Sequence, residues 1–335
     1  MNDKKLYGSI IVTYRCNARC NMCDCWKYPT KPSEEITPGL IQKLPEMEFT
    51  NITGGEPFIR QDLPEIIREV YKKTNRIVIS TNGYFQERIL ALCDHFPNIG
   101  IRISIEGLQH ANDAIRGIPE GFARGFGTLK KLVAKKHPDV GFGMTVQEQN
   151  AGDLLKLYKI SDEYGMEFAT ATLHNSFYFR KTDNAIHDRM KVAKAFEGLI
   201  NALLKSDSPK KWFRAYFNHG LVNYLYGNKR LLPCEMGTNG FFMDPSGHIM
   251  PCNGSLERMS MGNLHDQSWD EIWNSEQAQQ VREQVRNCSR NCWMIGSAAP
   301  AMKQRLFVPA WRGVTHKMKG KYLLDENNFY QKTIS

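Results

Sequence analysis

No stretch of this 335-residue chain approaches the 18 or so apolar residues that span a bilayer. The apolar patch at residues 6–14 is short and runs straight into Arg15 and Cys16 without a small-residue cleavage site, so a secretory signal is not expected. Blocks of like charge are also missing. The 44 Lys and Arg exceed the 35 Asp and Glu by nine, but they are spread along the sequence. No nucleic-acid-binding tail is expected, while an anionic substrate or cofactor is compatible. No internal repeat or low-complexity segment is found, and no GxGxxG follows the first strand pattern, which counts against a dinucleotide fold. With 41% hydrophobic and 24% charged residues the chain is neither disordered nor collagen-like. Its length suggests about two domains.

The first two-thirds alternates strand and helix patterns. Short β-branched runs fall at residues 8–13, 49–53, 77–80, 99–105, 141–146 and 167–172. Between them lie helical periodicities, with Leu63, Ile66, Ile67, Val70 and Tyr71 on one face and Val192, Ala195, Phe196, Leu199, Ile200 and Leu203 on another. Asn150 is a candidate N-cap for the helix through Leu154, Leu155 and Leu157. Such alternation predicts an α/β protein with parallel strands, as an open doubly wound sheet or as a barrel; periodicity does not separate the two.

Further on, residues 241–243 and 248–250 flank a Pro/Gly turn and predict a β-hairpin. Ser268 and Glu271 form a capping box opening one helix that carries Ile272, Trp273, Val281 and Val285. The last 35 residues are basic and aromatic with no clear period.

Cysteine carries the most information. Nine cysteines without a secretory signal do not suggest a disulfide scaffold, and they are bunched. Cys16, Cys20, Cys23 and Cys25 fall within ten residues; Cys288 and Cys292 form a second close pair, with Cys234 and Cys252 upstream. Cys93 stands alone on a helical pattern and is expected to be a buried small hydrophobe. The C-x3-C-x2-C spacing of Cys16, Cys20 and Cys23 suits three irons of a [4Fe–4S] cubane, leaving one iron open to a ligand. A zinc site with Cys25 as fourth ligand is the alternative.

This spacing, with bulky Met22 before the third cysteine, resembles the radical S-adenosylmethionine (SAM) enzymes. Thr53-Gly54-Gly55-Glu56-Pro57 after the second strand is similar to that family's Gly-Gly-Glu-Pro motif, which binds the SAM amino group. Two glycines let a backbone approach a ligand closely, and the acid accepts hydrogen bonds from an ammonium. Ser104 and Glu106 resemble the fourth-strand motif that contacts SAM, Arg116 the arginine that pairs with its carboxylate, and Thr81 and Asn82 the third-strand loop beside it. The resemblance implies a partial (β/α)6 barrel over residues 1–210, with SAM at the strand C-terminal ends. The segment from Met243 to Trp273 looks like the SPASM/twitch extension of the same family. That implies a small C-terminal β-hairpin/helix iron–sulfur domain over residues 211–300, followed by a tail over residues 301–335. Four cysteines, Cys234, Cys252, Cys288 and Cys292, match the twitch form with one auxiliary [4Fe–4S] cluster; a structural zinc knuckle is the alternative.

The chemistry so implied is reductive cleavage of SAM to a 5′-deoxyadenosyl radical, which takes hydrogen from the substrate. Dehydrogenation and epimerisation both follow from it, and Cys25 is a candidate hydrogen-atom donor or an inert thiol. The expected electron source is an external flavodoxin- or ferredoxin-type protein, and the expected location is the cytoplasm. His174, Tyr178 and Arg180, after the sixth strand, are candidate substrate contacts. With the first strand near residue 7 and a short tail, no leader-binding domain is expected. The preferred substrate is therefore a small polar metabolite, with a peptide maturase and a non-catalytic zinc module as alternatives.

Overall fold

Six β/α units wind in one direction. In a computed structural model, which describes residues 5–325, β1 (Leu6–Ile11) is followed by a long loop and the short α1 (Pro38–Ile41). Then come β2 (Met47–Thr53), α2 (Leu63–Tyr71), β3 (Ile77–Thr81), α3 (Gln86–His95) and β4 (Gly100–Ser104). After these, α4 (Gln109–Arg116) and α5 (Gly121–Ala134) precede β5 (Val140–Val146), and α6 (Leu154–Glu163) precedes β6 (Glu167–Thr172). Two long helices follow, α7 (Arg189–Leu204) and α8 (Pro209–Leu225). The strand order is β6-β5-β4-β3-β2-β1, all parallel. A doubly wound sheet reverses direction at its first strand; this one never does, and the choice left open by periodicity is thereby made for the barrel.

The hairpin expected downstream is β7 (Gly240–Met243) and β8 (His248–Met250), with β9 (Gly262–Asn263) beyond it. β7 lies parallel to β1, Tyr7 opposite Gly240 and Ile10 opposite Met243, so the C-terminal strands extend the barrel sheet to nine. The core between sheet and helices is aliphatic: Ile10, Ile52, Ile79 and Ile101 pack with Ile66, Ile67 and Val70 of the predicted α2 face. Tyr71 lies at the rim of that face, stacked on Phe96. Cys93 is buried in this core, as its helical neighbours suggest.

Three local readings need correction. Ser268 does open a helix with a reciprocal capping box, but α9 (Trp269–Asn274) stops there. Ser275, extended at φ −64° and ψ 158°, ends it and caps α10 (Glu276–Arg286) by accepting from Ala278 N. Asn150 caps nothing with its side chain: Oδ1 accepts from Gln147 N while Nδ2 donates to the carbonyls of Glu106 and Thr145, tying β4 to β5. The tail folds as α11 (Ile295–Gln304) and α12 (Phe307–Met318), the latter packed on α8; residues 326–335 of the tail lie outside the described residues. Its inward face rests on small residues and a histidine rather than on an aliphatic stripe, which hides the period.

The joint between α8 and α12 titrates. His219 Nδ1 and Tyr322 Oη are 2.8 Å apart, and the His219 and His316 rings lie 5.5 Å apart. Burial, with His316 and Arg312 nearby, pulls His219 from 6.5 down to about 4; burial, Arg312 and Lys319 lower His316 as well. A histidine held neutral in the fold binds fewer protons than in the unfolded chain. Stability is therefore full above pH ~6.5 and falls towards pH ~4, on the order of 3 kcal/mol for a shift this large. Thermal melts across that window should lose this slope in His219→Gln; an unchanged slope would exclude the joint as its source.

Candidate functional site

The C-terminal ends of all six parallel strands open on one cavity of about 200 Å³. The loop after β1 forms its floor, and its base is clamped. Arg15 Nε and Nη2 donate to the two Glu35 oxygens at 2.9 and 2.7 Å, and Arg60 Nη1 donates to Val12 O at 2.8 Å. The thiol-bearing part docks on the C-terminus of α4, where Arg19 N and Asn21 N donate to the carbonyls of Arg116 and Ile115. Gly117 follows in the left-handed conformation, and a Cβ there would press on Arg19 O.

The Gly54-Gly55 loop backs the thiol loop from the other side. Gly55 N donates to Thr13 O at 2.7 Å and Glu56 N to Arg15 O at 2.9 Å. A Cβ on Gly54 would lie 2.7 Å from Thr13 O, and one on Gly55 would fall on the Arg15 carbonyl. The steric demand for glycine therefore comes from two backbones in contact. Both residues also line the cavity, where a close backbone approach to a ligand was expected of them.

Glu56 turns inward. Fully buried, it accepts from Thr81 Oγ1 and Asn82 N at 2.7 Å and from Phe58 N at 3.1 Å. Burial raises its carboxyl above the usual range against the pull of these bonds. Neither Glu56 nor Pro57 lines the cavity. Glu56 thus braces the third-strand loop, whose Ser80, Thr81 and Asn82 do line it.

Cys16, Cys20, Met22, Cys23, Ser104, Glu106 and Arg116 share the same walls. Glu106 Oε2 accepts from Thr145 N at 2.6 Å, and Oε1 lies 3.2 Å from Arg116 Nη1. Burial opposes the Arg116 charge, but Cys20, Glu106 and Cys16 beside it hold the guanidinium firmly protonated. Burial pushes the Cys16 thiol up to about 12. Cys25 is buried in the wall, its Sγ donating to Tyr178 O at 3.0 Å. The neighbouring Cys23 thiol and burial push its pKa well above the ordinary thiol value.

Of the three residues singled out after β6, two reach the cavity. His174 lines it; its Nδ1–H donates to Thr172 O at 3.0 Å, and burial lowers its pKa. Tyr178 lines it too, but its hydroxyl is spent on Gly54 O at 2.6 Å and sits 3.1 Å from Thr53 Oγ1. Arg180 is turned away. A left-handed backbone, φ 54°, sends its guanidinium between the Tyr14 and Phe177 rings, 5.1 Å from each. Phe179 takes its place in the wall. Sequence reasoning also missed Trp26 and Thr145. The strand-end rule for barrels would have found Thr145; no local signal marks Trp26.

The second thiol set gathers beside the β7–β8 hairpin. Burial, then Cys292 and Cys234, push the Cys252 thiol up to about 12, and Cys234 and Cys288 act likewise on Cys292. Arg230, which donates to Cys292 O, supplies a compensating charge. One apolar cluster, built on Ile11, Tyr14, Cys25, Tyr178, Met236, Phe242 and Met250, touches Cys23 on one side and Cys234 and Cys252 on the other. Among the described residues no three His, Cys, Asp or Glu side chains converge closely enough to hold a single metal ion. Cys16, Cys20 and Cys23 line one cavity with the buried Arg116 guanidinium, and a donor set of thiols alone suits an iron–sulfur cubane.

Residues 10–160 match the radical SAM superfamily, and residues 234–293 match the SPASM iron–sulfur cluster-binding domain. The chain belongs to the radical SAM superfamily and carries a SPASM domain. It is therefore a radical SAM enzyme, which uses a [4Fe–4S] cluster with SAM and has auxiliary iron–sulfur binding in its SPASM region. The chain is 24% identical over 286 residues to the antilisterial bacteriocin subtilosin biosynthesis protein AlbA of Bacillus subtilis, covering 81% of this chain and 60% of that one. It is 22% identical over 283 residues to the sporulation killing factor maturation protein SkfB of the same organism, covering 81% and 65%. The chain thus spans less than two-thirds of either relative. A solved structure of anSMEcpe with bound AdoMet and Cp18Cys peptide shares the fold, with TM-score 0.60 at 16% identity over 94% of this chain and 99% of that one. No helix among the described residues of this radical SAM enzyme is long and apolar enough to cross a membrane.

Proposed function

We propose that this radical SAM enzyme modifies a peptide. The observation that carries the chemistry is the convergence of Cys16, Cys20 and Cys23, on the loop after β1, with residues from the ends of the five other parallel strands on one cavity. The relatives named for bacteriocin biosynthesis and for maturation of a killing factor favour a peptide over the small polar metabolite preferred from the sequence.

In this reading Cys16, Cys20 and Cys23 hold the SAM-binding cluster. Met22, Gly54, Gly55, Thr81, Asn82, Ser104, Glu106 and Arg116 surround SAM, while Glu56 and Pro57 support that wall from behind. Cys234, Cys252, Cys288 and Cys292 hold one auxiliary cluster. When bound, the cluster and SAM supply hydrogen-atom abstraction by reductive cleavage of SAM. The protein's own part is orientation and charge. Arg116 offsets the thiolates, and Glu106, fixed by Thr145 N and Arg116, presents a carboxylate of set direction. Tyr178 locks the glycine loop, and the Phe179 and Leu173 side chains exclude water. Cys25 remains the candidate hydrogen-atom donor, and His174 the candidate substrate contact. A flavodoxin- or ferredoxin-type donor and an intracellular location belong to the same proposal.

The test is 5′-deoxyadenosine release by the reconstituted enzyme under reducing, anaerobic conditions, with short peptides encoded beside its gene. Release stimulated by one such peptide, together with a change in its mass, is expected. Stimulation by aminocyclitols or sugars and by none of the peptides would return the reading to a small metabolite.

A further inference from the structure

The outward face of α12 is apolar, and none of the described residues covers it. Its inward face packs on α8, with Pro309 and Gly313 buried and a Cβ on Gly313 only 3.0 Å from Trp212 Cβ. At about 100° per residue, Phe307, Trp311, Val314 and Met318 fall within roughly 60° of one another, opposite that buried side. Phe307 is 77%, Trp311 58% and Met318 82% exposed. The Phe307 and Trp311 rings stack at 6.1 Å. A continuous aromatic stripe of this kind serves neither the core nor the cavity, whose lining includes no residue of α12.

Charge says what would cover it. From residue 284 to residue 324 the chain contains no Asp or Glu, and in that span it carries eight Lys and Arg. Arg305 and Lys317 pair with Glu235 and Asp207 on other elements. Arg312, Lys319 and Lys321 make no ion pair among the described residues; Lys319 and Lys321 follow the stripe, and Arg312 lies about 100° round the helix from Trp311.

We propose that α12 is an interfacial helix that seats the enzyme on an anionic lipid surface. The Phe307–Met318 stripe enters the headgroup boundary, and the unpaired cations face lipid phosphates. A helix with aromatic and methionine side chains on one edge and cations along its length suits a surface that offers no shaped pocket. The helix is too short and too charged to cross the bilayer, so it lies on it. An acidic protein would need matched pockets for Phe307 and Trp311; a lipid surface does not.

Co-sedimentation of the full chain with phosphatidylcholine vesicles containing about 30 mol% phosphatidylglycerol, and with phosphatidylcholine alone, tests this. Binding to the anionic vesicles only, weakened by salt, is expected. Phe307→Gln/Trp311→Gln should weaken it at least about ten-fold, and Arg312→Glu/Lys319→Glu/Lys321→Glu should abolish it. Both variants should keep the reconstituted cluster absorbance and, at pH ~8, where the His219–His316 joint is neutral with or without these charges, the wild-type melting temperature, which separates lost docking from lost fold. Equal binding to neutral vesicles, or variants that bind like wild type, would overturn the proposal. So would three other results: retention on polyglutamate without vesicle binding, a dimer broken by Trp311→Gln, or vesicle binding that appears only after residues 326–335 are removed.

Discussion

Replacing Cys16, Cys20 and Cys23 together by alanine is expected to lower iron from about eight to about four per reconstituted chain, and to abolish 5′-deoxyadenosine release. The three thiols lie on one loop held by β1, the glycine loop and α4, so their loss empties one cavity wall, while Cys234 and Cys252 stand on either side of the β7–β8 hairpin and line no part of that cavity. The two losses should separate in a second variant. Cys252→Ala is expected to lower iron while leaving cleavage of SAM intact, because Cys252 lines no part of the barrel cavity. Iron and sulfide analysis beside product chromatography checks both. A wild type with about four irons and a triple variant with none would mean that the C-terminal thiols hold no cluster, and electron transfer through that region would have to be dropped.

A single methyl group should be nearly as damaging. In Gly55→Ala the new Cβ has no room against the Arg15 carbonyl, and that carbonyl is pinned by Glu56 N on one side and the Arg15–Glu35 ion pair on the other. Backbone yields less readily than a flexible side chain, so the cost should reach the upper part of the overpacking range, about 3 kcal/mol. The displaced segment is the one bearing Cys16. Iron in the first site should therefore fall while iron in the second stays. Gly152→Ala is the control: nothing lies within 4 Å of its Cβ and its φ is not left-handed, so no such loss is expected. Thermal melts and iron analysis on the pair decide it. A Gly55→Ala protein with wild-type stability and full iron would show that the two loops need no close contact.

Much of the site is legible in local spacing. Cys16, Cys20 and Cys23 can be read together because three ligands on one loop lie within eight residues, and Gly54-Gly55 is readable because a paired glycine after a strand is itself unusual. Side-chain direction is not local. Glu56 has the position of a ligand-binding acid, yet Thr81 and Asn82, some 25 residues away, draw it inward. Arg180 sits at the barrel mouth by sequence, but one left-handed residue and the rings of Tyr14 and Phe177 turn it out of the cavity.

The six β/α units, the hairpin, the Ser268 capping box and both thiol groups were determined by the sequence alone, because each rests on a period or spacing that a short window contains. The motifs of the first cysteine loop and the glycine loop already implied the barrel where periodicity did not, and only the tertiary structure decided that β7 joins the same sheet beside β1. It alone brought Cys23 of the first thiol set and Cys234 and Cys252 of the second onto one apolar cluster and left the aromatic edge of α12 exposed among the described residues. Those are relations between segments far apart in the chain. They are set by which surfaces exclude water together, and no local window records that.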